Sequence, residues 1–132
     1  MKKIVAAVAL AVSMPLMAHP LTTEECVIFA ADSYATSIEM MQGKTLEDEL
    51  ALIQPGIEMC HQKFKDGCIF KDKEDTDRAI ANVNWIWDTA RYAFPPVMIA
   101  EQTRKLCQLA SPDRAAYEEK HPEAKDDRKY EQ

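Results

Sequence analysis

Residues 22–43 read TTEECVIFAADSYATSIEMMQG. Thr22 and Glu25 stand three apart, the spacing at which an N-cap hydroxyl and a carboxylate exchange hydrogen bonds with each other's backbone. Behind them Val27, Ala31, Tyr34, Ile38 and Met41 recur at intervals of four and three, the period of one helix face. Gly43 supplies a stop, because it can take the left-handed conformation that closes a helix. The stretch predicts a helix whose stripe from Val27 to Met41 faces the core, with Cys26 in its first turn.

The downstream sequence repeats the pattern. Thr45 and Asp48 cap a second segment with Leu46, Leu50, Ile53, Ile57, Cys60 and Phe64 on one face. Pro55-Gly56 interrupts it, which predicts a kinked helix or two short ones, and Gly67 ends it. A polar stretch, residues 71–77, leads to a third helix with the stripe Ile80, Val83, Trp87, Ala90 and Phe94. Pro95 ends that helix, and Pro96 starts a fourth that runs through Ile99 and Leu106 to about Ala110. From Ser111 the residues are mostly charged, Ala or Pro, and read as a solvated tail with at most a short helix near Ala115. No run of alternating β-branched residues suggests a strand. The expected fold is all-α: a small four-helix, disulfide-braced bundle with a kinked second helix over residues 19–110, and a charged, disordered tail over 111–132.

Upstream, Lys2 and Lys3 precede an uncharged apolar run over residues 4–12. Ser13 and Pro15 break the run, and Ala18 offers a small residue for cleavage. This is the layout of a secretory signal peptide over residues 1–18, too short to span a bilayer. The chain carries 16 basic and 22 acidic residues, for a formal charge of −6. Loss of Lys2 and Lys3 would leave 14 basic residues against 22 acidic ones, a charge of −8. Such a chain lacks the basic footprint that nucleic acid requires. It has no second apolar run of the roughly 20 residues that a membrane helix needs, so no membrane insertion is expected after cleavage. The expected location is periplasmic or secreted.

All four cysteines, Cys26, Cys60, Cys68 and Cys107, lie beyond the cleavage point. An even count in a short exported chain reads as two disulfides, with three possible connectivities. The interval between Cys60 and Cys68 does not suit a zinc site. In an up-down-up-down bundle the start of the first helix and the end of the fourth share one end of the molecule. That favours Cys26–Cys107 and leaves Cys60–Cys68.

Cys26, Gly43, Tyr92, Pro96 and Cys107 form a pattern of an early cysteine, a helix-ending glycine, a late aromatic helix, a proline start and a final-helix cysteine. It resembles a loose set of small, mostly uncharacterised exported proteins of Gram-negative bacteria and their phages. The resemblance spans residues 19–108 and implies helices and export. Cys60 and Cys68 are additions to it.

Motifs of known chemistry are missing. There is no G-x-S-x-G, no H-E-x-x-H, no phosphate loop and no nucleotide fingerprint. His61 and His121 read as surface and tail residues. No enzymatic activity and no cofactor are expected. Two features suggest binding. Cleavage after Ala18 would expose His19, whose α-amine and Nδ1 can chelate Cu(II), while Pro20 blocks extension of the chelate along the backbone. This His-Pro start resembles that of some exported copper carriers, which are β-sandwiches. On the third helix, Trp85 and Tyr92 fall opposite the core stripe, with Ala81 and Asp88 beside them. Trp and Tyr with a small neighbour suit the centre of a protein-binding patch; the other reading is a helix buried on both sides.

The expected function is a non-enzymatic binding module that docks on a protein partner, similar to inhibitor or immunity proteins. The alternatives are copper handling through His19 and a small acid-stress holdase chaperone. The processing claim has a direct check. Intact mass of the exported protein should equal residues 19–132 less four hydrogens. A mass that retains Met1, or four alkylatable thiols, contradicts it.

Overall fold

The computed structural model describes residues 20–131; the expected signal peptide, residues 1–18, and His19 lie outside that range. Among the described residues there are five α-helices and no strand: α1 (Thr23–Met41), α2 (Leu46–Phe64), α3 (Lys73–Asp88), α4 (Pro96–Leu109) and α5 (Arg114–Lys120). Short 3-10 segments follow α2 (Lys65–Gly67), α3 (Ala90–Tyr92) and α5 (Pro122–Glu131).

The helix starts are where local chemistry sets them. Glu25 N–H donates to Thr22 Oγ1 at 3.2 Å, and Thr22 N–H donates to Glu25 Oε1 at 2.9 Å. Thr45 and Asp48 form the same reciprocal pair at the start of α2. Asp72 and Asp75 form a third, so part of the polar stretch 71–77 is the first turn of α3. At the end of α1, Gly43 has φ 98. Its N–H donates to the Met40 carbonyl, and Lys44 N–H donates to the Glu39 carbonyl, the two bonds of a Schellman turn.

Pro55 sits inside one uninterrupted helix, so the two-helix alternative does not occur. Pro55 offers no N–H to the Ala51 carbonyl, but Ala51 and the Pro55-Gly56 turn are exposed and water can take that acceptor. Helix α3 is shorter than its apolar pattern suggested. It stops at Asp88, and the 3-10 turn carries the chain to Pro95, which caps α4 ahead of Pro96.

Helix α1 packs mainly on α4, and α2 packs on α3. Cys26 is bonded to Cys107 and Cys60 to Cys68, each pair with Cα atoms 5.6 Å apart, and no free cysteine remains. Loop-closure entropy assigns the long bridge about 4–5 kcal/mol and the short one about 2–3. Two closed disulfides fit a non-reducing compartment. No helix among the described residues is long and apolar enough to cross a membrane.

The core has two parts. One gathers Val83, Trp85, Ile86, Trp87, Ala90 and Ile99, with Leu46, Leu50, Ile53 and Phe94 packed against them. The other holds Leu21, Cys26, Phe29, Ile69 and Cys107. The buried face of α1 differs from the expected one. It consists of Thr23, Cys26, Phe29, Ala30, Ser33, Thr36 and Ser37, while Val27, Ala31, Tyr34 and Met41 face solvent. Neighbours on a helix are about 100° apart. Turning Cys26 towards α4 therefore turns Val27 away. Small polar groups fill the seam: Asn82 Nδ2 donates to Ser33 Oγ at 2.6 Å, and Gln108 Nε2 donates to the Thr23 carbonyl at 2.9 Å.

The charged C-terminal segment is folded rather than solvated. The N–H and hydroxyl of Thr23 donate to Asp113 at 2.9 and 2.7 Å, which ties the start of α5 to the start of α1. Arg114 is buried and donates to Glu118 at 2.7 Å, to the Ala124 carbonyl at 2.6 Å and to Asp127 at 3.3 Å. The composition that suggests disorder is here a set of charges that pair with one another, with Nη1 of Arg114 left without a partner. Breaking a buried ion pair from one side costs about 3 kcal/mol or more. Arg114→Met should therefore lower the melting temperature and speed amide exchange over residues 122–127. Unchanged exchange there would show that Arg114 does not hold the segment.

Candidate functional site

The four residues expected to form a docking patch do not share a surface. Trp85 is only 4% exposed and lies in the core beside Trp87. Its indole N–H is buried with no hydrogen-bond acceptor. Tyr92 is 75% exposed, but it stands in the 3-10 turn under the Arg91 guanidinium rather than on α3. Ala81 is half-buried and Asp88 is exposed. The reason is twofold. Helix α3 is packed on both sides, with Asn82, Val83, Trp85, Ile86 and Trp87 all buried, and it ends before a 100° rotation could bring Tyr92 into line. His61 is exposed, as expected, with Nε2 against the Phe70 carbonyl.

The structure presents two other features. The first is the outer face of α1. Val27, Ala31, Tyr34, Ile38 and Met41 lie within an arc of about 80°, and all but the half-buried Ile38 are exposed. Next to this stripe lies a band carrying Glu24, Asp32 and Glu39. No basic residue occurs anywhere on α1. Contiguous exposed apolar surface of this kind is uncommon on monomers and marks interaction sites.

The second feature is a cleft of about 130 Å³ between α1, α2 and α3. Asp32 and Thr36 line it from α1, Glu49, Leu52, Ile53 and Ile57 from α2, and Ala79 and Val83 from α3. Phe70 closes one side. Periodicity alone did not single out Glu49. It lies one residue past the capping Asp48, in a first turn already rich in carboxylates, where acidic residues are ordinary.

Glu49 is nonetheless the unusual group of the site. It is 7% exposed, and its Oε2 has no hydrogen-bond partner. Burial is the main force raising its pKa to about 7, followed by the charge of Glu39 and a hydrogen bond shared with that carboxyl; Asp32 adds to the rise and Lys44 opposes it. Asp32 is also raised, first by the protein packed around its carboxyl and then by Glu39, although part of its side chain is exposed. Lys44 Nζ donates to Glu39 at 2.5 Å, so the one ammonium of the group is already engaged.

Between its ordinary value of 4.5 and about 7, folded Glu49 holds a proton that the unfolded chain has lost. Stability from this group is therefore complete below about pH 4.5 and is lost as the pH rises through 7. Asp113, held down by hydrogen bonds from Thr23, and Glu101, held down by Arg104, act in the opposite sense, losing their contribution only in more acidic solution. The melting temperature should thus rise from about pH 8 to pH 5. Glu49→Gln should flatten that slope and stabilise the protein at pH 8 by roughly 1–2 kcal/mol after allowance for screening. Equal slopes in the two proteins contradict the assignment.

The chain matches no known protein family, no characterised protein and no solved structure.

Proposed function

We propose that this protein is a non-enzymatic binding module of the periplasm or secreted space, docking on a protein partner through the outer face of α1. The observation that carries the reading is the exposed apolar stripe of Val27, Tyr34 and Met41 beside an acidic band on a helix with no basic residue. Charge complementarity indicates the partner's chemistry: a segment that joins apolar side chains to lysines or arginines, such as a basic amphipathic helix. The acidic net charge of the chain favours the same kind of partner. An inhibitor or immunity protein would present a surface of this type.

The test uses the double variant Val27→Ser/Tyr34→Ser. Both positions are exposed, and exposed substitutions change stability by about 0.5 kcal/mol or less. The wild-type protein, immobilised and offered periplasmic extract, should retain a discrete protein that carries a basic segment. With both components purified, the double variant should bind that protein at least ~10-fold more weakly. Equal affinity would remove the α1 face as the docking surface.

A further inference from the structure

We infer that the cleft between α1, α2 and α3 is a subsite for an aliphatic cation, the side chain of a lysine supplied by the protein partner, with Glu49 as its counter-ion. The source of the lysine rests on the docking reading; the preference for a cation rests on the cleft itself.

Three observations support it. The walls combine apolar side chains suited to a methylene stem, Leu52, Ile53 and Val83, with two carboxyls suited to its head, Asp32 and Glu49. Glu49 is more than nine-tenths buried, lines this space and has one oxygen without a hydrogen-bond partner. Buried polar atoms in native proteins are nearly always paired, and an orphaned carboxylate oxygen calls for a donor. The surrounding charge is also unbalanced: Asp32, Glu39 and Glu49 face one ammonium, Lys44, which is held by Glu39.

Size and geometry narrow the class. About 130 Å³ is well below the 300–1,000 Å³ of clefts that take drug-sized molecules, and suits a single side chain. Among the described residues no group of three or more His, Cys, Asp or Glu could hold a metal ion, which favours an organic cation. The Glu49 carboxyl already shares a hydrogen bond with Glu39, so a point-charge ammonium fits better than the two-pronged guanidinium of arginine. On α1 the acidic band separates the apolar stripe from the cleft. A partner segment lying on the stripe can cross that band and set a lysine beyond it.

Binding of an ammonium competes with the proton on Glu49. The groups facing Glu49 are Glu39 and Asp32 from α1 and Lys44 from the turn after it, while α3 presents only Ala79 and Val83, which do not titrate. Affinity should therefore rise as the pH passes upward through about 7.

The experiment is an NMR titration of the folded protein with Nα-acetyl-lysine-N-methylamide. Its uncharged isostere Nα-acetyl-norleucine-N-methylamide is the control, and cadaverine is the free-amine arm. The lysine derivative should perturb Thr36, Glu49, Leu52 and Val83 selectively. It should bind at least ~10-fold more weakly as norleucine, at about pH 5.5 compared with pH 8, and in Glu49→Gln. Glu49→Gln should remain folded, and its melt provides the control. Lack of perturbation in the cleft, equal binding of the two derivatives, or unchanged binding in Glu49→Gln overturns the subsite. Cadaverine binding more than ~10-fold tighter than the lysine derivative overturns the lysine assignment in favour of a free amine. If the cleft stays silent while Val27→Ser/Tyr34→Ser still weakens the partner, the subsite fails and the docking face stands. If the cleft binds lysine while that double variant changes nothing, the docking face fails instead.

Discussion

The Cys26–Cys107 bond sets the rotation of α1, and much of the structure follows from that rotation. A disulfide requires Cα atoms within a few ångströms and side chains that converge, so the Cys26 face of α1 must point at α4. The residues that share this face, Ala30, Ser33 and Ser37, are small, and a seam of small side chains lets two helices approach closely. Phe29 stays buried on this face, while Val27, Ile28, Tyr34 and Met41 are carried to the outside. A helix held only by hydrophobic packing would be expected to turn the other way.

Polar pairing replaces part of the missing apolar burial. Asn82 reaches Ser33, Gln108 reaches the Thr23 carbonyl, and Asp113 collects both donors of Thr23. Each such bond contributes only about 1 kcal/mol net, but a buried group left unpaired costs more. The seam is therefore specific. It accepts the sequence that completes the pairs, and it extends past α4 into the C-terminal segment, where Arg114 binds Glu118, Ala124 and Asp127. In that segment, charge density signals mutual pairing instead of solvation.

Among the described residues four have a buried side-chain atom without a partner, Glu49, Asn82, Trp85 and Arg114, and Glu49 is the carboxyl among them. Its carboxyl is buried, near two others, and Glu49 lines the cleft between α1, α2 and α3. Such an arrangement weakens the fold at neutral pH. A site that gives up stability in this way is a natural place for a cation to enter, and the acidic band of α1 leads to it.

Local signals in the chain were readable because they act within a few residues. The capping pairs Thr22–Glu25 and Thr45–Asp48, the stop at Gly43, the start at Pro96 and the pairing of the four cysteines could all be read from spacing and from the all-helical pattern. The Cys26 pairing even contained the correct rotation of α1, since Cys26 and Val27 cannot both face α4. Apolar periodicity outweighed it in the reading, because a stripe of Val27, Tyr34 and Met41 looks like a core face. Tertiary structure decided what no local pattern encodes: that α3 is packed on both sides and hides Trp85, that the charged tail folds onto the first turn of α1, and that Glu49 meets Asp32 and Glu39 at a cleft. Helix formation is a short-range balance of backbone hydrogen bonds and caps, whereas burial depends on which distant surface arrives opposite each residue.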